Sequence, residues 1–326
     1  MSPSSSHAGR AGLVLLVCAT VLLGAVGVGV LGLERLGGSL GALLERSPAC
    51  TAQVDGREVT LDADQAAEAA VIGAASVRRG LPSRAAVIGL ATAMQESKIR
   101  NLDYGDRDSV GVFQQRPSQG WGREARIMDP YYASNRFYAA LEQVDRYAEL
   151  PVAEAAQRVQ RSADGSAYAQ HAPDARVLAS ALTGRSPAAL TCDVDRPEES
   201  AQQPGRSGLT PDALAVRADV RRAYGSLPDG GYARGGVRTG HQEGSAHYDG
   251  RAVDFFFRPV GPASNRAGWS LAQFLVARAE RLGIATVIYD DSIWTAARSS
   301  EGWRQYDVDS DDPVLRHLDH VHVDVA

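Results

Sequence analysis

The residues best suited to chemistry are histidines near the C-terminus of this 326-residue chain. Five of the seven histidines lie between residues 241 and 322. A glycine turn joins His247 to Asp254, and alternation along the final strand-like run puts His320 and His322 on one face. Zinc in catalytic sites takes three such protein ligands and leaves a fourth position for water. The spacing therefore predicts a zinc site built from these side chains.

Glu96 is the second residue whose position suggests chemistry. It lies at the C-terminal end of a predicted helix, on a stripe with Gly89 and Ala93, whose small size permits close packing. A carboxyl group shielded from water stays protonated near neutral pH, as a general acid requires. Three aspartates in the following loop offer either a partner acid or ordinary turn chemistry: Asp103, Asp106 and Asp108.

The region that carries Glu96 is predicted to be a mostly α domain spanning 50–192. It is rich in alanine, and its apolar residues recur at three- and four-residue intervals. The predicted helices are 63–79, 83–98, 131–148, 152–162 and 174–184.

The histidines belong to a second region, 210–326, in which helix-like stretches alternate with short β-rich runs. This mixture predicts an α+β domain with helices at 211–224 and 269–282 and strands at 252–257, 284–289 and 320–325. Residues 193–209 between the two regions are polar, rich in Pro, Gly, Ser and Gln, and predict a linker.

Length and charge limit the class of function. A chain of this length favours two domains at about 150 residues each. The formal net charge of -5, the pI near 5.8 and the lack of long Lys/Arg runs leave no electrostatic footprint for nucleic acid, so nucleic acid is not expected as a partner.

Residues 11–33 form an uncharged run of apolar and small residues, long enough to cross about 30 Å of hydrocarbon as a helix. The run exceeds a signal-peptide core and ends without an A-x-A-like site, which favours a transmembrane anchor over the alternative of a cleaved signal peptide. Arg10 predicts a cytoplasmic tail at 1–10. The expected location is therefore the cell membrane, single-pass, with the C-terminal domains extracytoplasmic.

Cys50 and Cys192 are the two cysteines outside that predicted span. An even pair in an exported region is typical of a disulfide in an oxidising compartment. Two unrelated buried thiols are the alternative.

The Glu96 segment resembles the soluble lytic transglycosylase and goose-type lysozyme group. The matching residues are Gln95-Glu96-Ser97, Asn101 and the run Ser109-x-Gly111-Val112-Phe113-Gln114-Gln115. The resemblance implies a lysozyme-like fold in which Glu96 is the acid for glycan cleavage, and Gln114 and Gln115 line the sugar groove. Arg116-Pro117 and Tyr168-Ala169 depart from later motifs of that group. A muramidase and a transglycosylase outcome both stay open.

The histidine segment resembles the zinc peptidase group of D-alanyl-D-alanine carboxypeptidases and murein endopeptidases. The motif that carries the resemblance is Ser245-x-His247-x-x-Gly250-x-Ala252-x-Asp254, together with His317-x-Asp319-His320-x-His322. It implies that zinc is bound by His247, Asp254 and His322. The carboxypeptidase branch has a glutamate base where this chain has Asp319.

The endopeptidase branch instead uses a histidine at the position of His320, which is favoured here as the base. Asp319 and His317 are then supporting residues. Arg238 resembles the family arginine that steadies the developing oxyanion.

These two resemblances predict an extracytoplasmic peptidoglycan hydrolase, because peptidoglycan contains both a glycan bond and a D-amino-acid peptide bond. The alternative is a wall-binding scaffold whose zinc domain holds muropeptides without cleaving them. No protein partner is predicted.

Overall fold

The structure is a computed structural model that describes residues 48–162, 165–198 and 201–326. Residues Pro48–Ala326 form one compact unit. It is a mixed α/β fold with two antiparallel sheets.

The smaller sheet joins the beginning of this unit to its middle. Its strands are β1 (Ala49–Val54), β2 (Arg57–Asp62) and β3 (Leu190–Asp193), in the order β2-β1-β3. Cys50 in β1 is the direct cross-strand partner of Cys192 in β3, and the two form a disulfide. The disulfide predicted from the sequence is therefore confirmed.

In the described part of the chain, six α-helices lie between β2 and β3 and form the region around Glu96. They are α1 (Ala63–Arg78), α2 (Ser83–Ser97), α3 (Glu124–Ile127), α4 (Pro130–Leu141), α5 (Val152–Gln160) and α6 (Ala172–Leu182). Asp62 caps α1 in a reciprocal capping box with Gln65. Small buried residues such as Gly89 let the helices approach closely: a Cβ there would meet the Tyr138 hydroxyl at 2.7 Å. The predicted helices are confirmed to within a few residues, except that α4 ends at Leu141.

The second region contains the larger sheet and the histidine motifs. Its helices are α7 (Pro211–Tyr224), α8 (Pro262–Ala277) and α9 (Ala279–Leu282). The strands of the larger sheet are β4 (Asp229–Gly230), β5 (Ala252–Phe256), β6 (Ile284–Tyr289), β7 (Ser292–Thr295), β8 (Arg304–Gln305) and β9 (His320–Val325). The strand order β4-β5-β9-β6-β7-β8 places β9 between β5 and β6. The valines of β9 are buried in the core, so its histidines occupy the opposite face.

Buried polar contacts hold the two regions against each other. Gln273 of α8 accepts a hydrogen bond from the Leu190 amide at 2.7 Å and donates one to the Ala181 carbonyl at 2.8 Å. The Tyr131 hydroxyl of α4 donates to Asp219 of α7 at 2.6 Å. The division at the predicted linker stays a prediction, since both regions share one compact unit.

The predicted fold class of the first region, mostly α, is corrected to mixed α and β. This region also contains the sheet of β1, β2 and β3. The pairing of β1 with β3 joins strands more than a hundred residues apart, for which local periodicity carries no signal. The hairpin of β1 and β2 is local, and its two-residue turn Asp55-Gly56 was a signal that the sequence prediction overlooked.

The predicted transmembrane helix and single-pass membrane location are also corrected. Within the part of the chain that the structure describes, no helix is long and apolar enough to cross a membrane. The longest described helices, α1 and α8, have 16 residues each, or about 24 Å at about 1.5 Å per residue, which is short of about 30 Å of hydrocarbon. Residues 1–10 and 11–33 lie outside the described residues.

We predict that replacing both Cys50 and Cys192 by serine lowers the free energy of unfolding by about 2 to 4 kcal/mol, because the bond closes a loop of 142 residues and restricts the unfolded chain. Chemical denaturation of the oxidised protein and the double variant measures the difference. A reducing agent should lower the denaturation midpoint of the wild type to that of the double variant and leave the midpoint of the variant unchanged. Equal midpoints for oxidised wild type and variant would contradict the prediction.

Candidate metal centre and catalytic carboxylate

Three predicted ligands meet on the larger sheet. Asp254 of β5 and His322 of β9 are direct cross-strand partners, so their side chains project from the same face. His247 comes from the turn before β5, where Gly250 takes the left-handed conformation with φ of 68°. The structure thus brings together residues that lie up to 75 positions apart in the sequence.

The spacing of the ligand atoms suits a tetrahedral metal. Nε2 of His247 lies 3.1 Å from Nδ1 of His322 and 3.2 Å from Oδ1 of Asp254, and the third side of this triangle is 3.1 Å. Zinc with ligands at about 2.0 Å gives ligand–ligand distances of about 3.3 Å in a tetrahedral site. The three residues therefore fit a zinc ion, and they would hold it through two imidazole nitrogens and one carboxylate oxygen.

The outer nitrogens of both imidazoles have their own acceptors. Nδ1 of His247 lies 2.7 Å from the Gly231 carbonyl, and Nε2 of His322 lies 3.3 Å from Asp324. Protons on these outer nitrogens leave the inner nitrogens directed at Asp254. Gly231 has to be glycine, because a Cβ there would lie 2.3 Å from the His247 ring.

Electrostatics at the triad favour charged side chains. Burial opposes charge on Asp254, but its hydrogen bonds with His247 and His322 hold the pKa of its carboxyl well below the usual range. Burial likewise lowers the pKa of His322, and the hydrogen bonds to Asp254 and Asp324 more than offset it and raise it to about 9. In the metal-free chain a proton therefore lies where a metal ion would bind.

His320 lies beside the triad, and Asp319 holds its imidazole on the side away from the triad. Its Nδ1 lies 2.7 Å from Oδ1 of Asp319, and its Nε2 lies 3.9 Å from Oδ1 of Asp254. Oδ2 of Asp319 accepts a 2.6 Å hydrogen bond from Arg258, whose guanidinium also lies over the Phe256 ring. This chain of contacts directs one imidazole nitrogen of His320 toward the metal position.

An open cleft of about 690 Å³ exposes the triad to solvent. His241, His317 and Arg258 line it together with His320. Burial, with the neighbouring histidines, lowers the pKa of His317 to about 3, so its ring is neutral near pH 7. Arg238 is exposed and does not belong to the cleft lining, so the structure does not bring it to the position predicted for an oxyanion contact.

Glu96 forms a separate centre at the end of α2. It is half-buried, and the Tyr168 hydroxyl donates a 2.6 Å hydrogen bond to its Oε1. Burial and this hydrogen bond raise the pKa of Tyr168, so the hydroxyl keeps its proton and remains a donor. With Oε1 engaged, Oε2 is the oxygen that would meet a glycosidic oxygen.

The predicted groove glutamines differ in placement. Gln114 is half-buried with φ of 47°, and its amide donates to the Gly111 carbonyl at 3.2 Å. Gln115 is buried, and its amide donates to the Ala133 carbonyl of α4 at 3.2 Å. Gln115 therefore supports the turn from inside, whereas Gln114 has access to a groove.

The loop aspartates have different surroundings. Asp108 accepts hydrogen bonds from Arg116 at 2.7 Å and from the Ser118 amide at 2.8 Å, and these contacts lower the pKa of its carboxyl. It thus stabilises the turn that follows. Asp103 and Asp106 are exposed on the loop surface.

Sequence reasoning missed four residues of these centres: Tyr168, Gly231, Arg258 and Asp324. Asp324 lies two residues after His322, so strand alternation puts both on one face, which was a usable signal for a supporting carboxylate. Arg258 lies two residues after the end of β5 and four residues after Asp254. Gly231 acts through a contact across 16 positions, for which local spacing gives no signal. Tyr168 was noted only as part of the altered motif Tyr168-Ala169, and its contact with Glu96 across 72 positions was not predicted.

The comparison with protein families gives one match, to the model described as VldE, C-terminal domain, over residues 205–317. This match covers about a third of the chain. It includes His247 and Asp254 and ends before β9, which carries His322. No curated protein matches the chain. The resemblances to lysozyme-like and zinc peptidase groups therefore stay predictions.

We predict that zinc binding at pH 7 releases about one proton per ion, because the raised pKa of His322 keeps it protonated without metal. Apparent zinc affinity should rise about tenfold per pH unit up to about pH 9, where the metal-free imidazole loses its own proton. Calorimetric titration in buffers of different ionisation enthalpy counts the protons. Zinc binding at pH 7 without proton release would contradict the prediction.

Proposed function

We propose that this chain is a peptidoglycan hydrolase with a glycan-cleaving centre at Glu96 and a zinc D,D-peptidase-like centre at His247, Asp254 and His322. The observation that carries the proposal is the convergence of three ligand atoms within 3.2 Å of one another, with His320 directed at the same position. A purely structural histidine cluster would not require a positioned imidazole next to it.

In the peptidase centre, each side chain has a defined part. Zinc held in such a site polarises a carbonyl group and lowers the pKa of water to about 7. His320 takes a proton at Nε2 and delivers it to the leaving amine. Asp319 contacts the other ring nitrogen of His320, Nδ1, and so orients the imidazole, and Arg258 holds Asp319 in place.

In the glycan centre, Glu96 donates a proton to the glycosidic oxygen and later recovers it. Tyr168 fixes the carboxyl group through Oε1, so that one oxygen remains for the substrate. The aspartates of the neighbouring loop are either bonded within the loop or exposed on its surface. This arrangement supports a mechanism with one principal carboxylate, in which a transglycosylase and a muramidase outcome differ only in the group that attacks.

Both centres belong to one compact unit, which favours a common polymer as substrate. Peptidoglycan contains the two bonds that these chemistries cleave. The Cys50–Cys192 disulfide further supports action in an oxidising compartment.

A wall-binding role without peptide cleavage is the second candidate. Two observations favour it. Arg238 is exposed outside the cleft and does not offer an oxyanion contact there. Asp319 stands at the position of the carboxypeptidase base, but both of its oxygens are engaged by His320 and Arg258. On this alternative the zinc region retains muropeptides, and only the Glu96 centre cleaves.

We predict that Glu96→Gln lowers the rate of glycan-strand cleavage by at least about 100-fold, because the amide keeps the shape of the side chain but cannot donate the proton. Mass analysis of digested peptidoglycan measures the released saccharides. Glu58→Gln on the exposed face of β2 is the matched control and should cleave like the wild type. Undiminished cleavage by Glu96→Gln would remove this residue from the mechanism.

We also predict that His320→Ala retains bound zinc and loses peptide cleavage, whereas His322→Ala loses both. The difference is expected because His322 supplies an atom of the ligand triangle and His320 lies outside it. Metal analysis and digestion of defined muropeptides give the two measurements. Peptide cleavage at the wild-type rate by His320→Ala would contradict the assignment. Zinc in the wild type without any cleavage would favour the binding role.

A further inference from the structure

His241 is a fourth histidine at the metal centre that neither motif includes. One of its ring nitrogens lies within 4.8 Å of a ligand atom of His247 and of a ligand atom of Asp254. Its ring is stacked on the His247 ring, with centroids 3.9 Å apart and planes at 24°. His241 also lines the cleft into which the triad opens.

A single side chain ties the backbone of His241 to the metal-binding turn. The amide of His241 donates a 3.1 Å hydrogen bond to the Tyr248 hydroxyl, and that hydroxyl donates a 2.6 Å bond to the His241 carbonyl. Tyr248 directly follows the ligand His247. The position of His241 over the centre is therefore set by the same turn that presents a metal ligand.

The neighbouring backbone leaves room for a small movement. Gly240 and Gly244 have φ of 94° and 77°, and a Cβ at either position would have no neighbour within 4 Å. Both glycines therefore lie in open surroundings and in conformations that other residues rarely adopt. A shift of His241 toward the ion would act on its hydrogen bonds with Tyr248 and on its stacking against His247.

Geometry relates this position to the coordination sphere. Three ligands of a tetrahedral zinc ion leave a fourth vertex about 3.3 Å from each ligand atom. The His241 nitrogen lies within 4.8 Å of a ligand atom of His247 and of Asp254, so it has to move closer to the ion to occupy that vertex. His320, whose Nδ1 is held by Asp319, has the role of the base in the proposed mechanism, so the fourth vertex is assigned to a different side chain.

We propose that His241 is a fourth, exchangeable protein ligand of the zinc ion. This inference rests on the proposed zinc centre and adds a closed resting state to it. With His241 bound, the ion has three imidazoles and one carboxylate, and no position remains for water. Entry of a peptide into the cleft displaces His241 and opens the position that hydrolysis requires.

X-ray absorption spectroscopy of the zinc-loaded protein tests the proposal by counting imidazole ligands. The expected count is three in the wild type and two in His241→Ala. Competition with a chelator should show a zinc dissociation constant at least about tenfold higher in His241→Ala. Tyr248→Phe, which removes the hydroxyl that holds His241, should weaken zinc binding to a smaller extent. Tyr306→Phe removes the same atom from another tyrosine of the cleft and should leave zinc affinity unchanged.

The possible failures are distinguishable. A wild type with two imidazoles, or an unchanged dissociation constant in His241→Ala, would overturn the fourth ligand and leave the zinc peptidase proposal standing. Three imidazoles that fall to two in His241→Ala would support the fourth ligand even if no muropeptide is cleaved, and only the peptidase proposal would then fail.

Discussion

The cross-strand pair of Asp254 and His322 is the interaction on which the rest of the metal centre depends. Its place in the middle of the larger sheet fixes both side chains through strand register, since β9 is hydrogen-bonded on both sides. A slip of one residue would turn His322 toward the core and bring a valine to the site. The buried valines of β9 oppose such a slip, so the packing of one face of the strand keeps the metal-binding side chains in position on the other face.

The same register extends to the residues around the triad. Two positions further along β5, Phe256 pairs with His320 of β9. Arg258, two residues beyond Phe256, donates a hydrogen bond to Asp319. Helix α8 covers the core side of this sheet and also bonds to Leu190 of β3 and Ala181 of α6 through Gln273. The region around Glu96 and the region around His322 are thus parts of one framework, which the disulfide between β1 and β3 closes.

Local pattern predicted the elements of this fold well, because periodicity and strand alternation depend only on neighbours in the chain. It also assigned His320 and His322 to one strand face. It did not predict the pairing of β1 with β3 or the contacts of Tyr168 and Gly231, since each depends on a partner that tertiary packing supplies. The hairpin of β1 and β2 around Asp55-Gly56 had a local signal that was overlooked. Arg238 is a different case: its spacing from the histidine motif matched an expectation, yet its side chain is exposed and is not part of the cleft lining.

The central claim is that three side chains from different parts of the chain bind one zinc ion. Anomalous diffraction at the zinc absorption edge, on crystals of the zinc-loaded protein, tests it most directly. We expect one strong peak about 2.0 to 2.2 Å from Nε2 of His247, Oδ1 of Asp254 and Nδ1 of His322. A zinc-loaded crystal with no peak at this position, or with its main peak on other residues, would contradict the account.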